Sequence, residues 1–229
     1  IQNDLAGRTM VHAERFRDEF TGVSYLNHYG NDHVKTYHRA GSAASRMSFI
    51  DVLPHLSNHD LLHVTGITPI LSEACGEAMT SALQWATDNG LPVCFDANYR
   101  EPLWAPEDAR KVFDRLIDSA TIFKVGHDEA EIVWSLELTA EEYARRFFRG
   151  NVRLSIVTRG SQGAIVFDGA NTFDHPGYPV EIVDPVGAGD AFVAGFLAGI
   201  FQSHTILEFF SLKCDDRREV LTRALDIAN

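Results

Sequence analysis

From Leu61 to the end of the chain, two textures of apolar residues alternate. Short runs rich in β-branched and aromatic residues sit between turn formers, and longer stretches repeat apolar positions every three or four residues. The runs LLHVTGI (61–67), PVCFDAN (92–98), TIFKV (121–125), RLSIVTRG (153–160) and GAIVFDG (163–169) predict strands, and VEIVD (180–184) predicts one more. The longer stretches predict helices over 72–90, 106–119, 128–134, 139–149, 187–202 and 215–229. Ser72 stands at an N-cap position, Asn89-Gly90 supplies a stop, and Pro106 opens its helix where no N–H partner is lost. Alternating strands and helices place parallel strands in one sheet with helices on its faces. The expected class is α/β with a mostly parallel central sheet. The first 40 residues differ. TGVSYLNHY (21–29) and HVKTYHR (33–39) are rich in aromatic and β-branched residues, and GND (30–32) between them predicts the turn of an antiparallel hairpin.

Composition narrows the classes of partner. The 229 residues fit one domain, or one domain plus a small appendage, and 45% apolar content supplies a substantial core. A net charge of −12 repels phosphate backbones, so nucleic acid is not an expected partner. The sequence shows neither a basic-then-apolar leader nor an apolar run of the roughly 18 residues that crosses a membrane. Cys75, Cys94 and Cys214 are odd in number and form no C-x-x-C pair, which favours reduced thiols and a cytoplasmic protein.

Ligands in open α/β sheets sit beyond the carboxyl ends of the strands. Those ends carry Gly66, DANYR (96–100) and DPVGAGD (184–190). In the last of these, Gly187, Ala188 and Gly189 open a helix, whose free N–H groups and positive dipole end attract an anion that glycine lets approach closely. This is a candidate hole for a transferring phosphoryl group or another oxyanion. Asp190 beside it repels such an anion, so its use would be to take a proton from a hydroxyl attacking the bound phosphorus. An ordinary helix start, with Gly for the turn and Asp for the cap, remains the competing reading. The dinucleotide pattern G-x-G-x-x-G fails at Phe192, and no G-x-x-x-x-G-K-[ST] occurs. Ala191, Ala194, Gly195, Ala198 and Gly199 continue the small residues, which suits close helix packing on either reading.

DPVGAGDAFVAGFLAGI (184–200) closely resembles the C-terminal signature of the ribokinase-like (PfkB) carbohydrate kinases. GITPILS (66–72), FDANYREPLW (95–104), KVGHDEAEIVW (124–134) and VTRGSQGAIVF (157–167) resemble family segments in order and spacing. TYHRAGSAAS (36–45) is similar to the 2-keto-3-deoxygluconate kinase branch, which carries a Tyr-x-Arg before a G-S-A-[AG]-S run. The resemblance implies a ribokinase-like core over about 41–229, a small β-hairpin lid over about 20–40, ATP as donor and Mg²⁺ as metal. It implies Asp190 as catalytic base and Gly187, Ala188 and Gly189 as the anion hole. Tyr37 and Arg39 would hold a sugar acid from the lid, and Arg100 its carboxylate. Thr158, Gly160 and Gly163 fall in the segment bordering the nucleotide. Asp184 matches a residue that helps bind a monovalent cation such as K⁺ in some relatives, and Glu129 one that acts on Mg²⁺ through water. Lid hairpins of this family often pair between subunits, which implies a homo-oligomer.

Several positions depart from the family pattern. Gly126 replaces an expected Asn three residues before Glu129, which leaves Glu129 open as either a metal group or a helix N-terminal charge. Ser24 stands where a lid tyrosine is expected, and Tyr25 alternates to the other strand face. Segment 1–16 matches poorly, and the family's opening strand, G-G-x-x-x-N segment and closing adenine-side helix have no counterpart, so both family termini are expected to lie outside this chain. His28, His33 and His38 recur on the hairpin with exposed side chains as the expectation, and His63 in an apolar strand reads as a core residue. The two Phe-Phe pairs, 147–148 and 209–210, predict core or subunit contact. The function expected is phosphorylation of 2-keto-3-deoxygluconate at its terminal hydroxyl. The alternatives are a fructokinase or ribokinase type, or a non-catalytic relative that binds nucleotide or sugar.

Overall fold

The computed structural model describes residues 18–29, 32–181, 184 and 186–229. The poorly matching N-terminal segment and the hairpin turn at Gly30 and Asn31 lie outside them, as do the side chains of His28 and His33. The hairpin forms as its sequence predicts. β1 (Val23–Tyr29) runs antiparallel to β2 (Asp32–His38), with Ser24 opposite Tyr37 and Leu26 opposite Lys35. A capped single turn, α1 (Phe49–Val52), follows.

The second sheet holds β3 (Leu62–Thr65), β4 (Val93–Asp96), β5 (Ile122–Gly126), β6 (Leu154–Thr158), β7 (Ala164–Phe167) and β8 (Thr172–His175), side by side in that order. β3 to β6 are parallel, whereas β7 and β8 run antiparallel to their predecessors. Connection length explains the change. Between the parallel strands lie crossovers built from α2 (Thr68–Leu71) and α3 (Glu73–Asp88), then α4 (Pro106–Ile117), then α5 (His127–Trp134) and α6 (Ala140–Phe147). A short turn links β6 to β7 and another links β7 to β8, and so short a link reverses the chain. α7 (Ala188–Phe201), α8 (Ile206–Ser211) and α9 (Cys214–Ala228) complete the described chain. β8 and α8 are not among the predicted elements: β8 buries only Phe173 in a polar stretch, and the six residues of α8 are too few to show a helical period. The strand expected at 180–184 falls partly outside the described residues, and Val180, Glu181 and Asp184 are not in a strand.

Alternation along the strands builds a core on each sheet face. Phe95, Phe123 and Val125 pack with Phe113, Trp134 and Phe147 from α4 to α6. Cys94, Ile122 and Leu154 point the other way, onto Phe196, Ile200, Phe209 and Leu221 of α7 to α9. Phe147, Phe209 and Phe210 are buried, so these members of the Phe pairs are core residues. His63, expected in the core, is exposed on β3, which is an edge strand among the described residues. Ser72 caps α3 by accepting the N–H of Cys75 at 3.1 Å.

α7 and α9 touch backbone to backbone. A Cβ at Gly199 would stand 2.6 Å from Cα of Ala224, so the small-residue stripe is what lets α9 seat on α7 and brace its direction. Gly199→Ala is expected to lower the unfolding free energy by about 1–3 kcal/mol through overpacking, although Ala alone would favour the helix by about 1 kcal/mol. Urea denaturation checks this, and an unchanged or raised stability would show that the two helices separate without cost.

Candidate active site

A cavity of 710 Å³ opens at the carboxyl ends of β4, β5 and β6, bounded by the hairpin and by the N-terminus of α7. Its floor comes from Asp96 at the end of β4 and from Lys124 and Gly126 on β5. Arg100, Glu129, Gly187, Gly189 and Asp190 also line it.

Gly187 is the N-cap of α7 with φ +84°, a conformation glycine adopts without strain. The first α-helical bond runs from the Ala191 N–H to the Gly187 carbonyl at 2.8 Å. The N–H groups of residues 188–190 therefore have no acceptor inside the helix, and the helix end faces the cavity. Asp190 lies in this first turn, exposed, and lines the cavity, whereas the side chain of Ala188 does not. Asp184 also lines it and accepts the Val186 N–H at 2.8 Å, which holds the turn entering α7.

Two ion pairs cross the floor. Lys124 donates from Nζ to both carboxylate oxygens of Asp96, at 3.1 and 3.3 Å, with side chains 6% and 2% exposed. Asp96 Oδ1 also accepts the Asn98 N–H at 3.2 Å, which pins the loop leading to Arg100, and Asn98 takes the positive φ of +42°. Burial pushes the Asp96 carboxyl up from its ordinary value, with Lys124 opposing it. A Cβ at Gly189 would lie 3.3 Å from Lys124 Nζ, so the ammonium sits directly beneath the first turn of α7. In the second pair, Arg100 Nη1 reaches Glu129 Oε1 at 3.5 Å and donates to the Tyr99 carbonyl at 2.9 Å. Glu129 Oε2 accepts the Gly126 N–H at 3.2 Å, so Glu129 caps its own helix and lines the cavity at once. Burial also raises the Glu129 carboxyl, opposed chiefly by Lys124. The carboxylates of Glu129, Asp184 and Asp190 are hard oxygen donors of the kind Mg²⁺ takes.

The lid splits the remaining candidates. Tyr37 lines the cavity together with Leu26 from the same hairpin face. Tyr25 lies on the opposite face, exposed and edge-on to His38, and does not replace the missing lid tyrosine. Arg39 does not line the cavity; its guanidinium stacks 4.9 Å over the Tyr37 ring. Arg39 and Arg100 therefore do not converge in this structure. Thr158, at the end of β6, lines the cavity. Gly160 and Gly163 belong to the turn joining β6 to β7 and do not. Gly163 packs against β8, where a Cβ would stand 2.0 Å from the His175 carbonyl oxygen. The residues that sequence reasoning did not single out are Asp96 and Lys124. Their signal was present: each sits one alternation beyond an apolar residue facing α7 to α9, Cys94 and Ile122, where a core side chain would be expected.

Residues 13–212 match the family described as pfkB family carbohydrate kinase. The chain is 33% identical over 148 residues to the 2-dehydro-3-deoxygalactonokinase of Haloferax volcanii, covering 63% of this chain and 46% of that protein. It is 34% identical over 148 residues to probable fructokinase-2 of Arabidopsis thaliana, covering 62% and 44%. The crystal structure of a putative ribokinase II from E. coli in complex with ATP and Mg²⁺ superposes with a TM-score of 0.71 at 26% identity, covering 93% of this chain and 63% of that one. The matched part is thus under half the length of these two curated relatives.

The raised Glu129 carboxyl sets a pH dependence. The folded chain holds this proton more tightly than the unfolded chain, so the Glu129 contribution to stability falls as pH climbs above its ordinary value of 4.5. Glu129→Gln, which keeps an oxygen to accept the Gly126 N–H, is expected to gain stability relative to the parent between about pH 4 and pH 7.5. Denaturation curves at the two pH values check this, and a variant that loses ground at the higher pH would show that the Glu129 charge is stabilised by its site.

Proposed function

Because the chain belongs to the pfkB family of carbohydrate kinases, we propose that it forms the kinase unit of an enzyme that phosphorylates the terminal hydroxyl of a sugar acid at the expense of ATP. The substrate best suited to the cavity is 2-keto-3-deoxygluconate, giving its 6-phosphate. The observation that carries this reading is Arg100, a guanidinium lining the same cavity as Asp190 and the bare N-terminus of α7. A sugar acid needs a donor for its carboxylate, and Arg offers two parallel hydrogen bonds. The relative acting on 2-dehydro-3-deoxygalactonate supports the same substrate class.

In the proposed reaction the substrate carboxylate takes Arg100, and Tyr37 covers the sugar from the lid. The terminal hydroxyl points at Asp190. As its oxygen bonds to the γ-phosphorus, Asp190 accepts the hydroxyl proton, the bond from that phosphorus to the β-phosphate oxygen breaks, and ADP leaves. The N–H groups of residues 188–190 stabilise charge on the transferring oxygens. Glu129 is the group that would hold, through water, the Mg²⁺ accompanying ATP, which would supply neutralisation of phosphate charge. Thr158, which lines the cavity, would border the nucleotide, with Gly160 and Gly163 farther along that segment, and Asp184 is the candidate for a monovalent cation. The hairpin's exposed Phe20, Val23 and Tyr25 suit pairing of two lids in a homo-oligomer. Three free cysteines fit a reducing compartment such as the cytoplasm, and among the described residues no helix is long and apolar enough to cross a membrane.

A second reading, a fructokinase, is favoured by the position of Arg39. With that guanidinium stacked on Tyr37, the cavity presents one Arg rather than two, and a neutral sugar needs fewer. Rates on the two substrates separate these readings. Asp190→Asn is expected to lose about 10²–10⁴-fold in turnover while substrate binding is largely spared, and turnover within about threefold of the parent would remove the base assignment. Arg100→Ala is expected to cost at least about tenfold in kcat/KM on 2-keto-3-deoxygluconate beyond its cost on fructose. Equal losses on both sugars would remove the carboxylate role and favour the fructokinase reading.

A further inference from the structure

The buried Lys124–Asp96 pair has no evident purpose in the fold alone. Taking two charges out of water costs more than their attraction commonly returns, and well-packed apolar residues in place of such a pair are often neutral or stabilising. Here the pair sits at the carboxyl ends of two adjacent parallel strands, between a hydrophobic core and a cavity. The ammonium is placed more specifically than a stability role requires. Nζ lies 3.3 Å from the point where a Gly189 side chain would begin, so glycine at 189 leaves the space above it open to the cavity. Asp96 holds Nζ with both oxygens and is itself held by the Asn98 N–H.

The charge balance of the cavity sharpens the point. Asp96, Glu101, Glu129, Asp184 and Asp190 line it, against Arg100 and Lys124 as the lining cations among the described residues. Arg100 is engaged with Glu129, and Lys124 with Asp96 from below. A phosphoryl group brought beside Asp190 meets strong repulsion, and the free N–H groups of α7 carry only partial charge. Lys124 is the full positive charge on that side, already desolvated and aimed under the first turn of the helix.

We propose that Lys124 is a catalytic residue that contacts the transferring phosphoryl group from beneath the N-terminus of α7, and that Asp96 is the positioning residue that holds its ammonium there. This rests on the kinase reading above. During the transfer Lys124 keeps its proton and donates a hydrogen bond to a non-bridging oxygen of the phosphoryl group. The bond between the γ-phosphorus and the β-phosphate oxygen breaks, the new bond to the sugar oxygen forms, and the sugar proton goes to Asp190. Asp96 stays ionised throughout, paired to Lys124 on the face away from the phosphate.

Lys124→Met alone leaves a carboxylate buried without its countercharge and can fail to fold, so the deciding variant is the double replacement Asp96→Asn/Lys124→Met, which removes both charges together. It is made in the whole protein beside the parent and Lys124→Arg, with thermal unfolding as the control for folding. Turnover is measured with Mg-ATP and 2-keto-3-deoxygluconate or fructose. Affinity is measured by calorimetry for Mg-ADP alone and for Mg-ADP with fluoroaluminate, which imitates the transferring group. The double variant is expected to fold, to bind Mg-ADP nearly as the parent does, and to lose about 10²–10³-fold in kcat with little change in KM. It is also expected to lose the gain in affinity that fluoroaluminate gives the parent. Lys124→Arg is expected to recover part of both. A folded double variant with kcat close to the parent's, or an undiminished gain from fluoroaluminate, would overturn the proposal. So would a loss confined to KM and to Mg-ADP affinity. If the parent phosphorylates no sugar, the kinase reading fails on that ground, while the fluoroaluminate titration still decides the part of Lys124.

Discussion

A parallel sheet ends in a layer of polar groups only where the side-chain alternation of its strands permits it, and the site depends on that constraint. β4 and β5 each place an apolar residue on the α7 face, Cys94 and Ile122, and then a charged one, Asp96 and Lys124, two positions later. The first pair belongs to the core and the second to the cavity floor. A one-residue slip of either strand would send its charge to the α4–α6 face, among Phe113, Trp134 and Phe147. The register of two adjacent strands therefore decides whether a charged floor exists beneath α7.

The helix above that floor is set by a different interaction. α7 is apolar along most of its length, and its direction comes from α9, against which Gly195 and Gly199 lie with no room for a side chain. With α7 fixed from behind, its N-terminus must point across the carboxyl ends of the strands. There Gly187 starts the helix without a side chain in the cavity. Packing at one end of the helix thus produces the electrostatics at the other. The partial charge of the helix end and the carboxylate of Asp190 lie above the ammonium of Lys124, an arrangement suited to binding an anion and taking a proton beside it.

The part of the lining around Arg100 and Glu129 is less committed. Arg100 and Glu129 hold one another at the long distance of 3.5 Å, and each has a second partner in nearby backbone. Gly126 contributes an N–H that Glu129 occupies. The lid adds Tyr37 and Leu26 while Arg39 stacks on Tyr37. This part would choose the sugar, and its pairs are those a bound carboxylate would have to rearrange.

The order and nature of most elements were legible in the chain itself. Helix caps such as Ser72, the period of each helix and the turn formers between strands are local signals, so the alternating α/β pattern and the hairpin follow from residues near one another. The same holds for the G-A-G-D start of α7, whose chemistry lies within four consecutive residues. β8 escaped because it offers one buried residue, Phe173, in an otherwise polar stretch, and α8 because six residues carry no measurable period; nothing local marks β3, which carries the exposed His63, as an edge strand among the described residues. The pairing of Asp96 with Lys124, of Arg100 with Glu129, and the turning of Arg39 onto Tyr37 were decided only by the tertiary structure. Asp96 and Lys124 are 28 residues apart, and Arg100 and Glu129 are 29. Contact between such residues depends on the register of neighbouring strands and the seating of the helices, which are collective results of burying both cores and are encoded in no single stretch of the chain.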